Sequence, residues 1–218
     1  MTNYLAVVTA VAALGAAACS AAETPATTKP AAKPAAASAA APATAPSAKA
    51  AGVPHYVQTQ AGSKLTFSFM QAGAENQGEF KQFATELAYD ENNLAGSSLK
   101  VTVQTGSFDT QDKDRNDTLA GPELLDPKKF PTAQFTASSL SKGANGIEAV
   151  GKLTLHGVTK DLRLPLTIKT TATGAEITGE TTIRRLEYGI GQGDWKTTEW
   201  VGDDVKLLYK VALVRKPG

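Results

Sequence analysis

The chain has 218 residues, and its 22 basic and 21 acidic side chains give a net charge of +1. Such a balance provides no bulk attraction for nucleic acid, so no nucleic-acid partner is expected. A single cysteine excludes an internal disulfide, and with only two histidines the sequence predicts neither a metal centre nor a cofactor.

Residues 1–19 resemble a bacterial lipoprotein signal. Leu5 to Ala18 is apolar and too short to span a bilayer as a helix, and the small residues Ala16, Ala17 and Ala18 precede Cys19. In this interpretation Cys19 becomes the lipidated first residue and anchors the protein in the periplasm or cell envelope. The alternative is an ordinary cleaved signal with a chance cysteine. Both interpretations place the mature chain outside the cytoplasm.

Residues 20–53 are predicted to form a disordered tether. The segment is built mainly from Ala, Pro, Thr and Ser, and its prolines recur too often for a helix to run far. Such a chain would hold an anchored domain clear of the lipid surface, although a spacer with no selected length has the same composition. The prolines are Pro25, Pro30, Pro34, Pro42 and Pro46.

Residues 54–218 are predicted to form one all-β domain. Apolar side chains alternate with polar ones in several segments, which is typical of strands with one face packed away from water. Turn signals separate the segments, and residues 112–125 break the alternation and predict one or two short helices. The alternating positions include Leu65, Phe67 and Phe69; Leu99, Val101 and Val103; Ile147, Ala149, Leu153 and Leu155; Leu162, Leu164, Leu166 and Ile168; and Val205 to Leu213. The turns are at Asn145-Gly146, His156-Gly157 and Gly174.

Several motifs resemble the YceI family in their order and approximate spacing. The resemblance extends over about residues 56–215 and implies a lipocalin-like antiparallel β-barrel of about eight strands. It also implies an interior that holds a long isoprenoid chain. The motifs are Ser107–Thr110, Leu119–Asp126, Lys129–Phe135, Gly151–Lys160 and Arg185–Gly189.

The function implied by this resemblance is binding or transport of an amphiphilic, isoprenoid-like lipid without catalysis, with membrane contact through the lipid anchor alone. A barrel filled by its own side chains, as in a structural or stress-related envelope protein, has the same alternation and remains the alternative. A homodimer is also left open. The candidate ligand-binding residues are Phe67, Phe69, Val101, Val103, Leu162, Leu164, Leu166, Arg185 and Trp195 near the mouth.

Arg185 is the charged member of this set. Counting by twos from Ile177 places it on the apolar side of its strand, where a charge requires a partner. The expected partner is a carboxylate such as Glu187 or Asp109, or else the phosphate of a lipid head group, which suits a guanidinium fork. His156 is predicted to occupy a tight turn rather than a catalytic or metal site.

A calcium site is the rival interpretation of the helical segment. Asp112, Asp114, Asn116 and Glu123 stand at positions one, three, five and twelve of an EF-hand-like loop. However, Asp117 occupies position six, where an EF-hand has glycine. An enzyme is a third hypothesis, but no nucleophile, base and orienting residue are recognisably spaced.

Overall fold

A computed structural model describes residues 52–144 and 146–217. The predicted signal with Cys19, nearly all of the predicted tether, and Asn145 lie outside these residues. The elements in chain order are β1 (His55–Gln58), β2 (Lys64–Gln71), β3 (Ala74–Phe80), β4 (Phe83–Ala88), β5 (Ser98–Gln104), β6 (Phe108–Asp109), α1 (Lys113–Leu119), β7 (Thr132–Gly143), β8 (Gly146–Leu155), β9 (Val158–Thr170), β10 (Gly174–Arg184) and β11 (Val201–Arg215).

The strands form a closed antiparallel barrel. Eight of them follow the order β1-β4-β5-β7-β8-β9-β10-β11, and β11 pairs back with β1. The long strand β11 has a second partner on the same side, because Val205 to Lys210 pair with β2 while its last residues pair with β1. Strands β3 and β6 extend the sheet from β2. The predicted eight-stranded barrel with a short helix is therefore confirmed.

Alternation places the apolar side chains inside the barrel. On β4, Phe83, Thr85 and Leu87 are buried, whereas Ala84 and Glu86 are exposed. The alternation predicted for β2, β5, β8 and β11 is confirmed by the strand bounds and by a common core of buried residues from most of the strands. Such burial of hydrocarbon from water is the main stabilising contribution to a domain of this kind.

The geometry of the turn between β8 and β9 explains why His156 and Gly157 occur there. Both residues have positive φ, +51° and +77°, as the central residues of a two-residue type I′ hairpin must. The His156 ring packs against Phe130 with centroids 4.1 Å apart. Burial is the main cause that lowers the pKa of His156. His156 thus has the turn role that the sequence predicted.

One seam of the barrel is incompletely paired. The ladder between β9 and β10 has only four residue pairs and ends at Thr178 and Thr167, although both strands continue beyond them. Pro165 lies on β9 two residues before Thr167, just beyond the last pair of this ladder, and it has no N–H to donate. The Tyr209 hydroxyl donates a hydrogen bond to the Pro165 carbonyl, and burial raises the pKa of Tyr209. Tyr209 thus links β11 to this seam.

Candidate functional site

The barrel interior contains an apolar cavity of about 390 Å³ at the end covered by α1. Its walls are hydrocarbon side chains from β2, β8, β10 and β11, together with leucines from α1 and the segment that follows it. A volume of this size lies within the range of ligand pockets. The wall residues from α1 and beyond are Leu119, Leu124 and Leu125.

A second cavity of about 100 Å³ lies deeper in the barrel. The two cavities have four lining residues in common: Leu65, Val103, Leu153 and Leu207. The two cavities are therefore adjacent, with the larger one next to α1. The barrel is therefore not completely filled by its own side chains.

The predicted ligand-binding residues all line one or both of these cavities. Phe67, Phe69, Arg185 and Trp195 border the larger cavity, and Val103 borders both. The residues that border the smaller one are Val101, Leu162, Leu164 and Leu166. Contact with a ligand stays a prediction for all of them except Arg185, whose hydrogen bonds are different from those predicted.

Arg185 is buried, with 3% of its surface exposed, but its partners are not the ones predicted. Its guanidinium donates all five N–H groups to backbone carbonyls of the segment before and at the start of β11. The predicted carboxylates pair elsewhere, Glu187 with Lys160 and Asp109 with Lys81. The accepting carbonyls are those of Ile190, Trp195, Thr197, Val201 and Gly202, at 2.8–3.1 Å.

This arrangement corrects both predicted roles of Arg185. No N–H remains to bind a phosphate, so the guanidinium instead fixes the path of residues 190–202. Burial lowers the pKa of Arg185, and the nearby Asp203 carboxylate opposes that shift. By holding the Trp195 carbonyl at 2.8 Å, Arg185 also positions the residue whose side chain borders the cavity.

Gly191 is required where the segment passes over Arg185. Its φ is +109°, a conformation that residues with a Cβ rarely adopt. A Cβ at this position would lie 1.8 Å from Arg185 Nη1 and 2.8 Å from the Trp195 carbonyl oxygen. Gly191 therefore allows the segment to pass close to the guanidinium.

The polar side chains of the larger cavity lie at the α1 end. Arg115 Nε donates to Gln71 Oε1 at 3.3 Å, and Arg115 Nη2 is 3.7 Å from an Asp112 carboxylate oxygen. Asp114 and Thr118 also border the cavity there. We call these five residues, Gln71, Asp112, Asp114, Arg115 and Thr118, the polar rim.

A family model for the YceI-like domain matches residues 56–213. The chain belongs to this family. The resemblance seen in the sequence motifs is thereby confirmed.

Relatives of the YceI-like chain include a UPF0312 protein of Vibrio vulnificus, 37% identical over 114 residues that cover 52% of this chain and 55% of the relative. Protein YceI of Salmonella arizonae is 39% identical over 87 residues, which cover 40% of this chain and 46% of the relative. The chain thus spans about half the length of the curated relatives it matches.

Solved structures also resemble the YceI-like domain. BcnA of Burkholderia cenocepacia superposes with a TM-score of 0.67 at 30% identity, covering 71% of this chain and 98% of BcnA. A polyisoprenoid binding domain from Saccharophagus degradans, implicated in plant cell wall breakdown, gives a TM-score of 0.59 at 14% identity and covers 75% of this chain and 99% of that domain. At that identity the second likeness shows the fold alone.

The calcium interpretation is wrong for this YceI-like domain. Asp112 caps α1 by accepting from the Arg115 backbone N–H, so its neighbours lie on a helix rather than in an ion-binding loop. The Asn116 amide oxygen accepts from Thr110, and its nitrogen donates to Asp109. Within the described residues, no cluster of three or more His, Cys, Asp or Glu side chains is placed to hold a metal ion.

Sequence reasoning missed the contribution of α1 and the segment after it to the YceI-like cavity. Leu119, Leu124 and Leu125 carry no strand periodicity, and their facing depends on how the segment folds back over the barrel end. Leu153 and Leu155 were predicted to face inward but were not included among the ligand-binding candidates; their parity on β8 could have identified them. No helix in the described part of the chain is long and apolar enough to cross a membrane.

Proposed function

We propose that this domain binds a prenyl-chain lipid, with the tail in the barrel cavities and the head group at the polar rim. The observation that carries the proposal is the pair of adjacent apolar cavities of about 390 and about 100 Å³. We infer that they join into one path when a tail enters. A prenyl chain is flexible, slender and wholly apolar in its tail, which matches a narrow path lined by Leu, Val and Phe. The polyisoprenoid binding domain that shares this fold supports the same ligand class.

Affinity in such a site would come from burial of hydrocarbon. Each buried methylene contributes up to about 0.8 kcal/mol, and the ceiling for a drug-sized ligand falls to about 0.3 kcal/mol per non-hydrogen atom. One isoprene unit of five carbons can then contribute up to about 1.5–4 kcal/mol, and the lower of these figures corresponds to about tenfold in Kd. Affinity should therefore rise with tail length until the path is full.

The proposed role is binding without chemistry. The two sets of lining residues contain no His, Cys, Lys or Ser, and their titratable side chains are Asp112, Asp114, Arg115, Arg185 and Tyr209. Arg185 and Tyr209 donate to backbone carbonyls, and Asp112 caps a helix. None of these three is free to act as a nucleophile or general base.

The extracytoplasmic location is part of the proposal and rests on the signal-like residues 1–19. Replacement of Cys19 by Ser should release the protein from the membrane fraction.

The test uses the full chain and prenyl alcohols of increasing length, from geraniol through farnesol to geranylgeraniol. Binding is measured by calorimetry and by the emission of Trp195, which borders the cavity. Val103 lines both cavities, so Val103→Phe should obstruct the passage between them. We expect this variant to lose at least tenfold in affinity for the longest alcohol and little for the shortest.

The matched control is Thr102→Phe, which places the same side chain on the neighbouring residue of β5, on the outer face of the barrel. It should bind all three alcohols as the native chain does. A native chain that binds none of them, or affinities that do not rise with tail length, would refute the proposed function.

A further inference from the structure

The polar rim carries little net charge for an anionic head group. Arg115 is the one rim cation, and it is already engaged with Gln71 and close to Asp112. Asp114 adds a second carboxylate to the same rim. The rim residues therefore sum to one negative charge, since Gln71 and Thr118 are neutral.

Arg185, the other cation bordering the cavity, does not change this balance. All five of its N–H groups are given to backbone carbonyls, so it has no donor for a phosphate oxygen. Its positive charge also faces the Asp203 carboxylate. A prenyl diphosphate bound here would bring several negative charges to a rim with no surplus of positive charge, and desolvated anions without cationic partners are strongly disfavoured.

An uncharged oxygen-bearing head group suits the same rim. Arg115 and Gln71 offer N–H donors, and a hydroxyl or carbonyl oxygen accepts from them without adding charge next to Asp112 and Asp114. The Thr118 hydroxyl already donates to the Asp114 backbone carbonyl. A hydrogen bond from Arg115 or Gln71 to such an oxygen needs no further cation.

We propose, on the basis of the function proposed above, that the polar rim selects prenyl lipids with uncharged head groups and rejects prenyl diphosphates, and that Asp114 contributes to the rejection by charge repulsion. Asp114 is suited to a test because its carboxylate makes no hydrogen bond or ion pair with the described residues. Its replacement therefore removes charge without breaking a side-chain hydrogen bond or ion pair, and the loss of an acidic group from the first turn of α1 weakens the helix only slightly. Asp112 is unsuitable, because it caps α1.

The experiment compares farnesol with farnesyl diphosphate, which share one tail, on the native full chain and on Asp114→Asn and Asp114→Lys. Both probes are kept below their critical micelle concentrations. We expect the native chain to bind farnesol at least tenfold more tightly than the diphosphate. The ratio should fall several-fold in Asp114→Asn and further in Asp114→Lys, with farnesol affinity nearly unchanged. Added salt should reduce the native ratio, because rim charges are screened.

Asp117→Asn is the matched control, since it removes the same charge from α1 at a position that pairs with Lys113 and does not border the cavity. It should keep the native ratio. Equal or tighter binding of the diphosphate by the native chain, or equal effects of Asp114→Asn and Asp117→Asn, would overturn this inference while leaving the proposed function standing. If neither probe binds, the proposed function fails and this inference fails with it.

Discussion

Replacing Arg185 by Lys tests the view that one buried guanidinium holds the segment of residues 190–202 in place. Lysine has three N–H donors in place of five, so at least two of the carbonyls that now accept from Arg185 lose their partner. A buried carbonyl without a hydrogen bond costs about 1–3 kcal/mol, which gives about 2–6 kcal/mol for two. Since whole domains are stable by only about 5–15 kcal/mol, we expect the segment to detach locally and expose these carbonyls to water.

The tryptophans make this detachment measurable. The chain has two, Trp195 and Trp200, and both lie within the held segment. Intrinsic emission therefore reports on this segment, while far-UV circular dichroism reports on the barrel strands. In Arg185→Lys we expect red-shifted emission and stronger acrylamide quenching in the absence of denaturant, and a urea transition followed by fluorescence that precedes the one followed by dichroism.

Two further variants bound the interpretation. Gly191→Ala should produce the same detachment with the charge intact, because its Cβ would lie 1.8 Å from Arg185 Nη1. Arg184→Lys alters the neighbouring arginine, whose side chain is 66% exposed, and should behave as the native chain. Native emission, quenching and urea midpoints in Arg185→Lys would refute the reasoning, since a segment that stays attached cannot depend on the lost hydrogen bonds.

Two other predictions concern stability. Tyr209→Phe should lower the free energy of unfolding in urea by about 1 kcal/mol, because it leaves the Pro165 carbonyl without a hydrogen bond. Tyr56→Phe should cost less, because the hydroxyl of this buried tyrosine makes no hydrogen bond among the described residues. Equal losses in the two variants would contradict the role of the Tyr209 hydrogen bond. The hydrogen bond from Lys81 is the main cause that lowers the pKa of Asp109 from 3.8 to about 2, so the stabilisation by this carboxylate is present above pH 3.8 and is lost as the pH falls through 2. Asp109→Asn should therefore show a smaller decrease of the urea midpoint over that range than the native chain, and parallel pH profiles would contradict the assignment.

The alternation of side chains was sufficient to predict the barrel strands because it records a local property. Leu65, Phe67 and Phe69 face one side of β2 whatever strand lies beside them, since successive side chains leave a strand on opposite faces. The same periodicity correctly predicted that Arg185 is buried, although this residue begins a 3-10 helix directly after the end of β10. The closure of β11 onto β1, by contrast, depends on pairing between residues 155–159 positions apart, and the family resemblance rather than the periodicity predicted it.

The partners of Arg185 could not be predicted in this way. They are backbone carbonyls, which every residue has, so no side-chain type marks the segment that supplies them. Gly191 was the available signal, because a glycine with positive φ indicates close approach of another group, but its sequence neighbours suggested a flexible turn. The polar rim was missed for a similar reason: Asp112, Asp114 and Asn116 have the spacing of a calcium loop, and only the helix shows that Asp112 caps it instead.

The size of the cavity is itself an argument about function. Unfilled apolar space carries a cost in stability, because the side chains that border it lose packing contacts. Water does not relieve this cost, because apolar cavities bind it poorly. The Phe67 ring, which could have filled part of the space, is instead packed against the wall at Gly78, where a Cβ would come within 2.4 Å of the ring. A sequence under selection for stability alone would fill such a space with larger side chains. A sequence that keeps the space open is best explained by an apolar occupant whose binding offsets the cost.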